Sequence, residues 1–504
     1  MTALTRSSVM AIVRETTEGT LVDPSAGGEF IPLREGFTFA GEVNTVETNT
    51  LRAGDVGQDK SFVTNETPTG TNDFYWKHSG VEAQEPELGL IFEAAMGAKS
   101  IAATEYDTVG GSTTTVLNVD TGEGATFQVG EGLLIKDSVN GYSVRTISSI
   151  SSDALTLNYA LDNAPASGVN LGRAVLYYPG TSHPTFSVHR YQATSSAEFK
   201  DASAGNRVTS LSLETTANDL ASGSFEFAGI SYYYNPIRIT AGSNDALDFN
   251  IGGGELNATV AAGVYKSPIA LAEAIELAMD AVSADDITVT FNKAAINGLF
   301  TIETAGATLS LLWNTGTNTA TTIGSTIGFD TAADDTAATE YSSDNEQSYD
   351  PPVTPSYDDI DPVVIQGAEL FIGDQDQNIC LKATNVSATI ATPKTDVASI
   401  CAETGIDSSV ILERTSELTA QIVLEKHKVD LFNKFINNIS TQAQLAWGKK
   451  SSGNWQAGKT QMITFLNASI TAHPVADNDG YQVIDVAISG FVGTNSSDVY
   501  LNFL

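Results

Sequence analysis

The sequence predicts a mainly β protein whose core is interrupted twice. Runs rich in Thr, Ser, Val and Gly, separated by Gly, Asn and Asp turns, occupy most of the chain, and this pattern is typical of strands joined by tight turns. Helical spacing is confined to residues 87–96, 267–282 and 429–439. A chain of 504 residues exceeds what one hydrophobic core usually organises, so we expect about two to four domains.

Each helical stretch has an apolar stripe, which predicts helices that cover sheet faces. Ser267 is the predicted N-cap of the second helix, and Pro268 fits its first turn. In the third helix, Lys and Asn are predicted to face water. The predicted stripes are Leu271, Ile275, Ala278 and Val282 in the second helix, and Leu431, Phe432, Phe435, Ile436 and Ile439 in the third.

Two changes in composition predict inserted domains. Residues 106–178 contain short, evenly spaced alternating strands, which predict a small β-barrel or sandwich. Residues 236–352 combine strands with the second helix and carry 3 Lys+Arg against 16 Asp+Glu, so we expect an acidic α+β domain. It ends in an acidic, Pro-rich linker. The remaining segments, 1–105, 179–235 and 353–504, are assigned to one core.

The core strands alternate apolar and polar residues. Residues 207–214 and 222–229 predict a hairpin, and residues 412–425 repeat its pattern. Such strands place one face on a core and the other in water. The apolar positions are Val208, Leu211, Leu213, Phe225, Phe227, Leu412, Leu418, Ile422 and Leu424. The polar positions include Glu214, Glu226, Glu413, Glu417 and Glu425.

The charge of the chain restricts its partners. Against 61 Asp+Glu stand 25 Lys+Arg, which gives a net charge of −36. Such a surface repels phosphate, which argues against a DNA-binding module but suits a conduit through which DNA slides. The first residues lack a secretory signal and no apolar run could span a bilayer. We therefore expect synthesis in the cytoplasm and no membrane insertion.

Signatures of chemistry are missing from the sequence. Gly252, Gly253 and Gly254 are followed by Glu255 and not by a phosphate-loop lysine, and no Gly-x-Ser-x-Gly or His-Glu-x-x-His occurs. The Asp pairs at 374/376 and 477/479 lack calcium-loop spacing. Cys380 and Cys401 are predicted to be buried or half-buried thiols. We expect no catalytic residue, metal or cofactor, although paired carboxylates for glycoside hydrolysis stay open.

Residues 29–98 carry a family resemblance. Residues Ile31, Pro32 and Leu33 are followed by an acidic, strand-like segment and then by the helix-like segment 86–98, PELGLIFEAAMGA. This order resembles the N-terminal part of major tail tube proteins of long-tailed, siphovirus-type bacteriophages. The resemblance covers about residues 30–100, 180–235 and 355–504. The strand pattern of residues 106–178 resembles a small barrel inserted in phage tail structural proteins, and residues 236–352, with the run from Thr322 to Phe329, resemble an accessory domain of phage virion proteins.

The resemblance implies a structural protein of the virion tail. It implies a tail-tube β-sandwich or barrel core with a flanking helix, and self-assembly into rings, usually hexamers, stacked into a tube for DNA passage. It also implies tape measure, tail terminator and tail tip proteins as partners. Two other classes remain open: a β-rich phage-associated adhesin or lectin, and a polysaccharide hydrolase.

Two surfaces are predicted to serve assembly. The five glutamates are candidates for lining an electronegative channel, and bulk solvent is the equal alternative. The segment 37–60 is expected to be mobile in the free subunit and to add strands to a neighbour, with an ordinary surface hairpin as the alternative. Both insertions are expected to project outward. The candidate docking residues are Phe37, Phe39, Glu42, Glu47, Leu51, Arg52, Asp55 and Lys60.

Overall fold

The computed structural model describes residues 8–25, 29–48, 60–102, 104–192, 199–293, 297–347, 349–376, 380–402, 404–424, 429–494 and 496–504. Within these ranges the protein is mainly β and is built from large antiparallel sheets, as the sequence predicts.

The elements follow one another in five groups along the chain. The first group is β1 (Ser8–Arg14), β2 (Phe30–Ile31), β3 (Thr38–Ala40), β4 (Val43–Glu47), β5 (Ser61–Glu66), β6 (Thr69–Tyr75), α1 (Gly89–Met96) and β7 (Gly97–Ile101). The second is β8 (Tyr106–Asp107), β9 (Val116–Asn118), β10 (Gly132–Asp137), β11 (Gly141–Ser151), β12 (Ala154–Leu157) and β13 (Asn170–Gly172). The third is β14 (Val175–Pro179), β15 (Phe186–Gln192), β16 (Lys200–Thr216), β17 (Ser222–Ala228) and β18 (Ser231–Tyr234).

The fourth group is β19 (Ile237–Ile239), β20 (Ala246–Asn250), β21 (Glu255–Thr259), β22 (Gly263–Tyr265), α2 (Pro268–Asp280), β23 (Ile287–Phe291), β24 (Phe300–Thr304), β25 (Leu309–Leu311), β26 (Asp335–Ala338) and β27 (Glu340–Ser342). The fifth is β28 (Glu369–Gly373), β29 (Ala383–Ala391), β30 (Lys394–Ala398), β31 (Ile406–Ile411), β32 (Thr415–Val423), α3 (Val429–Ile436), β33 (Thr441–Ser451), β34 (Asn454–Ala472), β35 (Val475–Asn478), β36 (Tyr481–Gly490) and β37 (Tyr500–Phe503).

Eighteen of the described strands belong to one sheet, the main sheet. A continuous antiparallel series within it runs β3–β6–β17–β16–β29–β32–β36–β34–β33–β28. The hairpin predicted from the alternation is confirmed, because β16 pairs with β17 and Leu211 lies opposite Phe225. The inner face of this sheet packs on a large apolar core that includes Leu211, Phe225, Leu418 and Ile488. Helix α1 joins this core, where the rings of Phe92 and Trp76 stack with centroids 4.8 Å apart.

A six-stranded sheet, the small sheet, occupies residues 106–172 in the order β8-β13-β10-β11-β12-β9. It has its own apolar cluster, which includes Phe127, Leu133 and Leu155. The predicted boundary at residue 178 is too late, because β14 pairs with β7 and β37 in the main sheet. Two main-sheet residues, Trp455 and Met462, pack against the small sheet in a shared buried cluster.

Residues 237–342 form separate small sheets of four, three and two strands together with α2. An apolar cluster of its own, including Phe249, Ile275, Phe300 and Trp313, holds this α+β portion together. Ion pairs join it to the end of β5 and to the connection between β1 and β2. Lys266 Nζ is 2.7 Å from Glu66 Oε2, and Arg238 Nε is 2.7 Å from Asp23 Oδ2.

Asp23 is expected to link stability to pH through its ion pairs. Burial opposes its ionisation, but the charge of Lys200, whose Nζ is 3.2 Å away, and the hydrogen bond from Arg238 lower its pKa from 3.8 to about 2. A depressed carboxyl pKa stabilises the fold above the unfolded pKa, and this contribution is lost as pH falls through 3.8 towards 2. We expect Asp23→Asn to cost about 1–3 kcal/mol at pH 7, since the pair is only partly buried.

Thermal unfolding of both proteins between pH 7 and pH 3 measures this contribution. The difference between wild type and Asp23→Asn should be largest above pH 5 and should shrink as the pH falls. A difference that is constant across this range would contradict the assigned ion pair.

The two insertions are expected to respond differently to removal. Replacing residues 237–347 by a Gly/Ser linker should lower the melting temperature of the remainder by a few degrees at most, because that portion has its own core. Removing residues 106–172 should unfold the remainder or strongly destabilise it, because Trp455 and Met462 would lose their apolar cover. Calorimetry of both deletion variants measures how much stability the remainder loses in each. Equal losses of stability would refute the distinction between the two insertions.

The predicted helices are present, but two of the predicted stripes are partly wrong. Ser267 caps α2, since its Oγ accepts a hydrogen bond from Ala270 N at 3.2 Å. The helix ends at Asp280, so Val282 lies beyond it, exposed, and Met279 takes the buried position.

Helix α3 differs more from its prediction. Leu431 is buried, but Phe432, Ile436 and Ile439 are largely exposed. Lys434, predicted to face water, is only 3% exposed, and its Nζ lies 2.8 Å from both carboxylate oxygens of Asp374. This long-range ion pair turns the lysine inward, which the helical spacing alone does not encode.

Candidate functional site

The outer face of the main sheet, opposite its core, carries three of the predicted glutamates. Glu214 of β16 lies opposite Ser387 of β29, and Glu417 of β32 lies opposite Thr389 of the same strand. On the other side of β16, the register with β17 places Glu226 on this face as well. Directly opposed residues of antiparallel strands share a face, so these three exposed glutamates lie on one surface.

Two aspartates extend this surface. Asp73 of β6 lies opposite Ser224, and Asp485 of β36 lies opposite Gln421. We call Asp73, Glu214, Glu226, Glu417 and Asp485 the acidic face. No Lys or Arg occurs in β6, β17, β29, β32, β36 or residues 208–216 of β16. Within these strands, therefore, no cation offsets the five carboxylates.

Neutral polar side chains link the strands between these acids. Ser212 Oγ and Ser224 Oγ are 2.9 Å apart, and Ser387 Oγ and Thr419 Oγ1 are 2.6 Å apart. Gln421 Nε2 donates to Asp485 Oδ1 at 3.1 Å. Cross-strand hydrogen bonds of this kind stabilise a sheet face that is in water. The result is a firm, hydrophilic surface with an excess of negative charge, which can repel a polyanion.

One predicted member of this set, Glu413, lies outside the strands of the acidic face. Glu413 lies in the connection between β31 and β32, because β32 begins only at Thr415. Leu412, predicted to be apolar core, is exposed beside it, and Leu424 is also partly exposed. Glu425 lies outside the described residues.

Asp73 and Asp485 were not predicted from the sequence. The alternation in β6 is hidden because Asn72, which faces inward, is polar and fully buried. In β36 the adjacent residues Val483 and Ile484 are both buried, which interrupts the period of two. Pairing with β17 and β32 identifies these aspartates, and that information is not local.

The hairpin β4–β5 presents an unusual amount of apolar surface. Its strands pair only with each other among the described residues. Val43, Val46, Phe62 and Val63 are each about half exposed or more. An isolated two-stranded hairpin is marginally stable in water, and exposed apolar clusters commonly mark interaction surfaces. Its connecting residues, 49–59, lie outside the described residues.

A second hairpin, β30–β31, lies against the first and was not identified from the sequence. Its strands also pair only with each other in the described part of the chain. Val397, Val410 and the fully exposed Ile400 carry its apolar surface. Gly405 follows its turn with φ of +74°, and a Cβ there would lie 3.2 Å from Thr64 O of β5. We call β4–β5 and β30–β31 the two projecting hairpins.

The predicted docking residues divide into three groups. Phe37 and Phe39 were wrongly assigned: Phe39 lies in β3 with its ring 6.0 Å from that of Phe227, and Phe37 packs against the main core. Long-range pairing of β3 with β6 overrides the loop-like local sequence. Glu42 and Lys60 are exposed beside the first hairpin and Glu47 ends β4. Leu51, Arg52 and Asp55 lie outside the described residues.

The remaining reactive side chains do not converge. No group of three or more His, Cys, Asp or Glu within the described ranges could hold a metal ion. Burial lowers the pKa of His78 to about 4 and that of His189 to about 3, so both are neutral at pH 7. The prediction of buried thiols was wrong, because Cys380 and Cys401 are both exposed.

The described residues thus offer two surfaces, the acidic face and the projecting hairpins. Among the helices described, none has the length and apolarity required to cross a membrane. No protein-family model and no curated protein matches this chain.

Proposed function

We propose that this chain is the structural subunit of a bacteriophage tail tube, in which copies join into rings, hexamers by family resemblance, that stack into a conduit for DNA. The observation that carries the proposal is the acidic face: one antiparallel series of strands with an apolar inner side and five carboxylates on its outer side, with no Lys or Arg in β6, β17, β29, β32, β36 or residues 208–216 of β16. Such a wall repels the phosphates of passing DNA and so lowers adhesion.

The projecting hairpins supply the second support. A ring requires a head-to-tail contact between two different patches of each subunit. Hairpins whose strands pair only with each other and that expose apolar side chains can add strands to a neighbouring copy. The resemblance of residues 29–98 to major tail tube proteins agrees with this role. Tape measure, terminator and tip proteins are then the expected partners in the virion tail, and the two insertions would decorate the tube.

Electron microscopy of the purified chain tests the proposal. Rings or tubes should form as protein concentration rises. Since each copy carries a net charge of −36, copies repel one another, and assembly should be favoured when salt screens that repulsion. Single particles at every concentration and ionic strength would refute the proposal, and glycan binding or cleavage by those particles would favour the adhesin or hydrolase alternative.

A further inference from the structure

The second projecting hairpin is held at its base by a polar network. Ser409 of β31 is buried, and its N and Oγ both donate to Glu18 Oε1, at 2.7 and 2.5 Å. Arg207 of β16 donates from Nε to Ser409 Oγ at 2.8 Å and from Nη2 to Ser409 O at 2.7 Å. The hairpin is thereby fixed to the main sheet.

The same arginine closes the network. Its Nη2 also donates to Glu18 Oε2 at 2.9 Å, and its Nη1 donates to His183 O at 2.6 Å. The side chains of Arg207 and Glu18 are largely buried. A planar guanidinium that binds several acceptors at once fixes their directions, which a lysine does not reproduce.

The other strand of this hairpin is fixed as well. Lys394 of β30 donates from Nζ to Gly229 O and pairs with Asp396, both at 2.7 Å. Beyond this base, Gly405 lies close to Thr64 O of β5 and so brings the two hairpins together. Two-stranded hairpins are marginal by themselves, so their direction depends on how the base is held.

We propose that Glu18, Arg207 and Ser409 act as a positioning clamp that sets the angle of the β30–β31 hairpin for docking onto a second copy of this chain. The inference rests on the proposed assembly into rings. The clamp lowers the conformational entropy that the hairpin loses on docking, as preorganisation does in other interfaces. The three residues act through the hairpin and do not themselves contact the neighbour.

The test measures hairpin angle and assembly separately. In a Cys380→Ser background, one nitroxide is placed on the exposed Cys401 near the hairpin tip and another on Val139→Cys in the small sheet. Pulsed EPR then gives the distribution of distances between the labels. Arg207→Gln and Arg207→Lys should both broaden it. In unlabelled protein they should raise the concentration required for assembly about ten-fold through lost preorganisation.

Lys293→Gln is the matched control, because it removes one cation from an exposed ion pair in the α+β portion; it should change neither readout. Glu18→Gln provides a second clamp variant should Arg207→Gln fail to fold. Wild-type protein that never assembles would refute the proposed function and the docking role together. The other informative outcome is that wild type forms tubes. If both folded clamp variants then show unchanged label distances, or an unchanged assembly threshold, the clamp alone is overturned.

Discussion

Replacing Val63 and Ile400 by aspartate is expected to abolish ring and tube formation while leaving the isolated subunit folded. Val63 is 64% exposed and Ile400 is fully exposed, so neither contributes much to the core. Covering one such side chain in an interface is worth about 1.5–3 kcal/mol. Losing both should raise the assembly threshold about 100-fold or more, since 1.4 kcal/mol corresponds to a factor of ten.

The free subunit and the assembled tube give separate readouts. Thermal unfolding of the monomer should be unchanged, and sedimentation should show that the variant stays small at concentrations where wild type forms tubes. Val139→Asp is the matched control, because Val139 is 86% exposed at a turn of the small sheet. Tubes formed by the double variant at the wild-type threshold would exclude the hairpins from the subunit contact.

Three of the five carboxylates of the acidic face were predictable because their signal is local. In β16, β17 and β32, each outward glutamate is flanked by inward residues such as Leu213, Phe225 and Leu418, which are at most 1% exposed. A strict period of two therefore assigns Glu214, Glu226 and Glu417 to the opposite side.

Features set by distant residues were missed. Phe39 lies in a Gly-containing segment with the composition of a loop, yet pairing with β6 and contact with Phe227 place it in the main sheet. Lys434 is buried, and its ammonium group is bound by Asp374. In each case the partner is remote along the chain, and tertiary contacts override local propensity.

The projecting hairpins show the same limit. The β30–β31 hairpin is anchored by Glu18, which lies far away in sequence. The sequence of residues 394–411 contains no pattern that indicates this contact. Sequence patterning thus identified three glutamates of the face that depends on alternation and missed the β30–β31 hairpin, which a remote residue anchors.

In the proposed tail tube, reversing three charges on the acidic face is expected to turn a non-adhesive channel into one that retains DNA. In assembled tubes of the triple variant Glu214→Lys, Glu226→Lys and Glu417→Lys, double-stranded DNA should bind and resist nuclease, whereas wild-type tubes should bind none. Each new phosphate contact should steepen the salt dependence of binding by about 0.9 in log–log slope.

A control with the same change in net charge separates location from total charge. Glu273, Asp286 and Glu346 are exposed in and just after the α+β portion, and their triple replacement by lysine leaves the acidic face intact. Protein from this control should bind DNA, if at all, only on the outside of the tube, where nuclease digests it.

Nuclease protection also shows whether the glutamates line the lumen or lie on the outer wall of the tube. An acidic face in the lumen encloses bound DNA within the wall of the tube, so reversal of its charge must produce protected DNA. An acidic face on the outer wall would produce bound but digestible DNA, as in the control, and would end the channel assignment. Because like charges act over about a Debye length of 8–10 Å at physiological salt, the carboxylates influence DNA only where it passes close to them.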